Sequence, residues 1–190
     1  MRLHLNKPGI RALGVAESFR QGQRRSVLAG VVMRSDFVVD GVAIGRTAVG
    51  GDDATTSIAS LFRSFRRNDV NLILVSGAIL SLYNIIDVDL LAKKTKLPVI
   101  CLTYKETAGI ADSIRRHFPG GAEKKLAAYA KLGKRAGVTL HTGHRVFVRT
   151  AGMDPDSCRA TLDLFTLQGS IPEPVRLAKL LARALLARRS

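Results

Sequence analysis

Acidic and amide side chains stand where the sequence pattern places strand ends and helix starts. Glu17 closes an apolar run, Asp52 and Asp53 precede a segment with helical spacing, and Asn84 and Asp87 lie at a later loop-to-helix boundary. Carboxylates that converge can hold a divalent cation and activate water for hydrolysis. Side chains of these types at helix starts also serve as caps. An unpaired buried acid such as Glu17 is costly, which favours a functional role over a solvated strand end.

Positive charge dominates the composition. The 30 Lys and Arg residues face 15 Asp and Glu residues, giving a formal net charge of +15. This excess favours a polyanionic partner, and nucleic acid fits better than a membrane surface because no helix pairs a wide apolar face with a basic face and aromatic anchors. Lys124 and Lys125, in a basic helical segment, are candidate phosphate contacts. A solvated face, or charge that serves only solubility, is the alternative.

The predicted elements that must position these groups follow a recognisable order. Three strands between residues 11 and 49 predict an antiparallel meander, a helix begins near Ala54, and apolar strands alternate with helices from Val70 onward. This order predicts an α/β domain of the ribonuclease H-like class, although other mixed folds share it. A length of 190 residues predicts one domain over residues 1–190. Because no apolar run reaches membrane length and no signal-peptide core is present, we expect a cytoplasmic protein.

Four segments carry a resemblance to a known family. They are residues 13–19 (LGVAESF), 51–55 (GDDAT), 83–87 (YNIID) and 171–178 (IPEPVRLA). In this order and spacing they resemble the archaeal family catalogued as domain of unknown function ninety-nine, which is related to endonuclease V and described as endonuclease dU. The resemblance extends from about residue 11 to residue 182, and its most specific piece is the Pro-Glu-Pro-x-Arg-x-Ala stretch. It implies a ribonuclease H-like fold, a divalent metal, and cleavage of nucleic acid at or near a deaminated base such as deoxyuridine or inosine.

The resemblance also implies roles for particular residues. Glu17 and Asp53 are expected to be catalytic and to hold Mg²⁺ or Mn²⁺, with Asp52 and Asp87 as further metal ligands. The expected nucleic-acid contacts are Ser76, Tyr83, Asn84, Lys124, Lys125, Arg176 and Lys179. We expect DNA rather than RNA as the partner, and the pattern leaves the oligomeric state open. Glu173 and Arg176 lie three residues apart on a helix, so a structural ion pair between them is the competing interpretation.

Three positions depart from the pattern of the family. Ala16 stands where many relatives have an acid, Ser76 stands at the end of the central strand where they have Asp, and Lys179 stands where endonuclease V offers Asp or His. Such a site would bind Mg²⁺ weakly, and the Lys179 ammonium group could hold a phosphate directly. A nucleic-acid-binding protein with a degenerate metal site is therefore the alternative to a metal-dependent endonuclease. A small-molecule or nucleotide-binding domain on the same scaffold is a third hypothesis.

Overall fold

The first three strands form an antiparallel meander, as the Val-rich runs predict. The computed structural model describes residues 9–106 and 109–188. The strands are β1 (Arg11–Ser18), β2 (Arg25–Arg34) and β3 (Val39–Ala48). Because β2 pairs antiparallel with both neighbours, β1 and β3 run in the same direction.

Helices and strands alternate through the rest of the chain. In chain order they are α1 (Ala54–Ser64), β4 (Leu72–Ser76), β5 (Ile79–Leu80), a 3₁₀ turn (Ser81–Tyr83), β6 (Asn84–Ile85), α2 (Val88–Thr95), β7 (Val99–Thr103), α3 (Ala111–His117), α4 (Ala122–Lys131), β8 (Ala136–Thr139), β9 (Arg145–Ala151), α5 (Pro155–Leu164) and α6 (Glu173–Ala187). β4 and β7 are buried along nearly their whole length, which explains their continuous apolar runs. The predicted mixed α/β class is confirmed.

One seven-stranded sheet organises the molecule. Its strand order is β3-β2-β1-β4-β7-β9-β8, with β1, β4 and β7 parallel to one another. The carboxyl ends of β1, β3, β4 and β7 therefore meet at one edge, which we call the carboxyl edge. Ligands of open α/β sheets commonly bind outside this edge.

Helices cover both faces of the sheet. Leu13 and Val15 of β1 share a core cluster with Ile58 of α1, whereas Ala16 packs against Ala178 of α6. We call these the α1 face and the α6 face; successive residues of a strand alternate between them. Gly14 points to the α6 face, where a Cβ atom would lie 2.2 Å from the carbonyl carbon of Pro174. Only glycine permits this approach of helix to strand.

The segment between β4 and α2 differs from the expected simple loop. It contains the short pair of β5 and β6, which run antiparallel, joined by the 3₁₀ turn. The sequence pattern predicts a helix over residues 107–118. Within the described residues this helix begins at Ala111, and residues 107 and 108 lie outside them. Cys101 and Cys158 are buried free thiols. No helix within residues 9–106 and 109–188 is long and apolar enough to cross a membrane.

Candidate nucleic-acid interface at the carboxyl edge

Asp53 lies at the carboxyl end of β3 inside a hydrogen-bond cluster. Its Oδ1 atom accepts from Thr47 Oγ1 at 2.7 Å and from Asn84 Nδ2 at 2.7 Å. The Ala48 amide lies 3.1 Å from both carboxylate oxygens, and Ser57 Oγ donates to Oδ2 at 3.3 Å. We call Thr47, Asp53, Ser57 and Asn84 the Asp53 cluster. Although Asp53 occupies the N-cap position of α1, its side chain caps no backbone amide of that helix.

Asn84 joins three elements at this point. Its side chain is fully buried, donates to the Ala48 carbonyl oxygen at 2.8 Å and to Thr47 Oγ1 at 3.0 Å, and accepts from the Ala54 amide at 2.9 Å. Asn84 thus satisfies the first amide of α1, the group that a helix start leaves without a partner. The sequence-predicted neighbours Asp53 and Asn84 are brought into direct contact.

The Asp53 carboxylate is held in its ionised form. Burial raises the pKa of Asp53, but hydrogen bonds from Thr47, Asn84 and the Ala48 amide outweigh burial and bring the pKa below its usual value. Four protein donors occupy its two oxygens. An oxygen that accepts this many hydrogen bonds has little capacity left for a metal ion.

Asp52, beside Asp53, forms ion pairs instead of joining the cluster. Its oxygens lie 2.7 Å from Lys124 Nζ and 3.0 Å from Lys125 Nζ. The hydrogen bond from Lys124 is the main cause that lowers the pKa of Asp52. The Lys125 side chain is buried and its ammonium group also donates to the carbonyl oxygens of Gly51 and Tyr83, at 2.9 and 3.2 Å. Lys125 therefore connects α4 to the loop that follows β3 and to the turn that carries Tyr83, both near the carboxyl edge.

The turn that carries Tyr83 has an unusual backbone. Leu82 and Tyr83 both have left-handed φ angles, 44° and 63°, which cost about 1–2 kcal/mol per residue outside glycine. The bond from Lys125 and edge contacts of the Tyr83 ring with His117 and Phe118 hold this conformation. Strain of this kind persists only where surrounding contacts determine it.

Glu17 stands on the α1 face, one residue before β1 ends. Its Oε1 atom is shielded from solvent and has no hydrogen-bond partner among the described residues. No hydrogen bond or ion pair joins Glu17 to the Asp53 cluster within residues 9–106 and 109–188. The two expected catalytic acids thus share a face and an edge of the sheet.

A second group of side chains gathers on the α6 face of the same edge. Ala16 lies near the carboxyl end of β1, Ser76 ends the adjacent parallel strand β4, and Tyr104 follows β7. The ammonium group of Lys179 lies 5.6 Å from the centroid of the Tyr104 ring, within the range of a cation–π interaction. We call Ala16, Ser76, Tyr104 and Lys179 the Lys179 cluster.

Two polar groups of the Lys179 cluster lack full partners. The Tyr104 hydroxyl is shielded from solvent and lies next to Ser76 without a well-formed hydrogen bond to a described group. Burial raises the pKa of Tyr104 to about 12. Burial, together with the nearby Arg183, lowers the pKa of Lys179. Within the described part of the chain, Lys179 has no ion pair and no hydrogen bond, so its charge is uncompensated.

The remaining predicted site residues have structural contacts. Asp87 caps α2 by accepting from the Leu90 amide and pairs with Lys131 at 2.6 Å. Glu173 is buried and pairs with Arg176 at 2.6 Å. The expected Glu173–Arg176 pair is therefore confirmed, and the guanidinium of Arg176 remains half exposed at the start of α6.

Further cations lie at the same edge of the sheet as the Lys179 cluster. They are Arg20, Arg24 and Arg25 in the turn after β1 and at the start of β2, Lys105 after β7, and Arg183 on α6, all exposed. None of the five forms an ion pair with a described acid. We call these residues the cationic rim. Positive charge concentrated at one edge attracts polyanions and speeds their association.

Comparison with known proteins assigns the family. Residues 8–186 match the family model described as endonuclease dU. The chain belongs to the endonuclease dU family. A member of the UPF0215 proteins from Pyrobaculum aerophilum is 34% identical over 173 residues, which cover 90% of this chain and 92% of that protein. The resemblance carried by the four sequence segments is thereby confirmed, and it relates this family member to nucleases of the endonuclease V type.

Solved structures establish the fold of this endonuclease dU family member. A protein of unknown function from Archaeoglobus fulgidus superposes with a TM-score of 0.79 at 23% identity, over 93% of this chain and 98% of that one. Endonuclease V from Ciona intestinalis, in complex with DNA containing an inosine followed by a ribo-adenosine, superposes with a TM-score of 0.66 at 11% identity, over 96% and 87% of the two chains. The predicted ribonuclease H-like fold is confirmed.

The divalent cation implied by this fold family does not fit the residues present. On the α6 face, Ala16 and Ser76 offer no carboxylate and Lys179 adds a positive charge. On the α1 face, protein donors occupy both oxygens of Asp53, and no third acidic, His or Cys side chain of the described residues completes a metal site with Glu17 and Asp53. Within residues 9–106 and 109–188, no three His, Cys, Asp or Glu side chains lie close enough together to hold a metal ion. Mg²⁺ requires several converging oxygen ligands.

Sequence reasoning missed Thr47, Tyr104 and the cationic rim. Thr47 lies inside a strand with no motif to mark it, and its role depends on contact with a residue 37 positions away. Tyr104 could have been identified from the sequence, because it directly follows a buried parallel strand whose carboxyl end lies next to Ser76. The arginines of the β1–β2 turn were also recognisable, since that turn follows Glu17 at the same edge.

Proposed function

We propose that this endonuclease dU family member binds DNA along the carboxyl edge of its sheet and does not depend on a divalent metal to do so. One observation carries the proposal: at the place where the fold family implies a metal, this edge has an uncompensated lysine and a rim of unpaired cations. Phosphate contacts by such cations supply most of the affinity for nucleic acid and make it dependent on salt. The family assignment supports DNA with a deaminated base as the target.

Fluorescence anisotropy with labelled single-stranded oligonucleotides tests this proposal. The oligonucleotides carry one deoxyuridine, one inosine, or neither, and are titrated in EDTA and in Mg²⁺ across a range of salt. We expect binding that weakens steeply with salt and that EDTA leaves unchanged. Absence of binding to every oligonucleotide at low salt refutes the proposal and favours a small-molecule site on the same scaffold.

Metal-dependent cleavage at deoxyuridine or inosine is the second candidate function. The buried, unpartnered Oε1 atom of Glu17 favours it, because a bound cation would satisfy such an atom. Glu17 and Asp53 would then be the residues required. The test is incubation of the same oligonucleotides with Mg²⁺ or Mn²⁺, with Glu17→Ala as control. Nicking that exceeds this control supports cleavage, and nicking no greater than the control excludes it.

A further inference from the structure

Lys179 presents an unusual combination of burial, position and missing partner. Its ammonium group lies over the Tyr104 ring at the carboxyl edge, partly desolvated, with no carboxylate or other hydrogen-bond acceptor from the described residues beside it. A desolvated charge without a partner is unfavourable in the free protein. A residue that destabilises the free protein stabilises the complex when the ligand supplies the missing partner.

Tyr104 adds a second unsatisfied group in the same place. Its hydroxyl is shielded from solvent without a well-formed hydrogen bond to a described group. Because burial raises the pKa of Tyr104 to about 12, the hydroxyl keeps its proton and remains a donor at neutral pH. An ammonium group and a neutral hydroxyl together are donors suited to an anionic oxygen.

The neighbouring residues exclude a cationic ligand from this position. Ala16, near the carboxyl end of β1, and Ser76, at the end of β4, offer no carboxylate, and Arg183 adds positive charge next to Lys179. A metal ion there would meet repulsion from Lys179 and few ligand oxygens. An anion would meet donors and a favourable field.

We infer that Lys179 binds one backbone phosphate of the DNA directly and that the Tyr104 hydroxyl joins this contact once the side chains that shield it move aside. The ammonium group then takes the place that a metal ion holds in a carboxylate-bearing site. This inference rests on the proposed function, since it assigns the phosphate contact within the same interface. The ring of Tyr104 holds the ammonium group, Ser76 leaves room beside it, and the cationic rim receives the adjoining phosphates. The bound strand therefore needs no divalent ion at this point.

Substitution of Lys179 by methionine tests the contact. We expect Lys179→Met to weaken binding of the deoxyuridine oligonucleotide about tenfold, as for loss of one charge-assisted hydrogen bond. The slope of log affinity against log salt should fall by about 1. The matched control is Lys94→Met, which removes an equal charge from an exposed position near the end of α2, remote from the carboxyl edge. We expect this control to change affinity less than twofold.

Tyr104→Phe separates the hydroxyl from the ring. This variant keeps the ring under the ammonium group, so we expect a loss of affinity of about threefold with the salt slope unchanged. If Lys179→Met and Lys94→Met bind the oligonucleotide with equal affinity, the inference is wrong. The proposed function still stands in that case, provided that the wild type binds. Failure of the wild type to bind would refute the proposed function itself.

Restoring acids provides the reverse test. The triple variant Ala16→Asp, Ser76→Asp, Lys179→His replaces the donors with potential metal ligands. We expect it to lose affinity in EDTA and to regain affinity on addition of Mn²⁺, whereas the wild type responds to neither. Wild-type affinity that falls in EDTA and recovers with Mn²⁺ would also overturn the inference.

Discussion

The Asp53 cluster and the Lys179 cluster lie at the same edge of the sheet but differ in how completely their polar groups are paired. In the Asp53 cluster every carboxylate oxygen and the whole Asn84 amide have partners within the protein. In the Lys179 cluster an ammonium group and a hydroxyl lack them within the described residues. The difference indicates separate tasks: the first group of side chains stabilises the fold, and the second is prepared for an external ligand.

The two clusters also lie on opposite faces of the sheet. Asp53 and Asn84 join β3, α1 and β6 on the α1 face, whereas Lys179 belongs to α6 and lies over Tyr104 on the α6 face. A shared edge of the sheet is therefore not sufficient for motif residues to act together. Substitutions that change fold stability and DNA binding independently of each other test this distinction.

Asn84→Ala should have the largest effect. We expect the free energy of unfolding to fall by about 4 kcal/mol, because the Ala54 amide and the Asp53 carboxylate lose a fully buried partner. Urea denaturation measures the change. The matched control is Asn71→Ala, which removes a partly buried amide that accepts from the Arg11 amide, and it should cost about 1 kcal/mol. Similar costs for the two variants would contradict a structural role for the Asp53 cluster.

Gly14→Ala should have the next largest effect. The new methyl group would lie 2.2 Å from the Pro174 backbone, so α6 must move away from β1, at a cost of about 3 kcal/mol. Urea denaturation and DNA affinity should both be measured, since displacement of α6 also displaces Lys179. In the control Gly30→Ala the atoms nearest to the new methyl group belong to the flexible Leu61 and Leu13 side chains, at 3.0 and 3.2 Å, and this substitution should cost about 1 kcal/mol. Unchanged affinity in Gly14→Ala would show that α6 does not position the ligand site.

Lys179→Met should affect stability little. The variant keeps the aliphatic contacts, and removal of a partly desolvated, solvent-screened charge offsets the loss of the cation–π contact with Tyr104, so the free energy of unfolding should change by less than about 0.5 kcal/mol. Thermal and urea denaturation measure the change. A loss of more than about 1 kcal/mol would mean that Lys179 stabilises the fold and that the contrast between the clusters is wrong.

The smallest expected effect is a change in the free energy of unfolding at acid pH. Because the pKa of Asp53 is lowered in the folded state, its ionised form stabilises the protein above pH of about 4, and this stabilisation is lost as pH falls towards the folded pKa. The stability difference between wild type and Asp53→Asn should therefore shrink below pH 4 and stay constant above it. Urea denaturation at several pH values measures it. A stability difference between the two proteins that grows as the pH falls would contradict the stabilising effect assigned to ionised Asp53.

Much of the fold could be predicted from local pattern. The meander, the buried strands β4 and β7 and the amphipathic helix α1 each have a periodicity that local sequence specifies. The turn at Leu82 and Tyr83 could not be predicted, because its left-handed backbone depends on the ammonium group of Lys125, 42 residues further along the chain. Tertiary contacts override local preference in such segments.

The candidate site was predictable in location but not in pairing. Alternation of strands and helices predicts that Asp53, Asn84 and Ser76 approach one edge. It could not predict that Asp52 pairs with Lys124 across 72 residues, nor that Glu17 and Lys179 lie on opposite faces. Pairing depends on which helices cover each face, and that is a property of the whole sheet.

The close approach of α6 to β1 at Gly14 has a kinetic consequence. A helix whose backbone touches the strand beneath it cannot slide or tilt without a clash, so the height of Lys179 above the strand ends is preset before any encounter. Association then requires no rearrangement of the helix and little loss of conformational freedom. The rate of capture should follow ionic strength, as it does for rigid, electrostatically steered partners, and discrimination between ligands should reside in their dissociation rates.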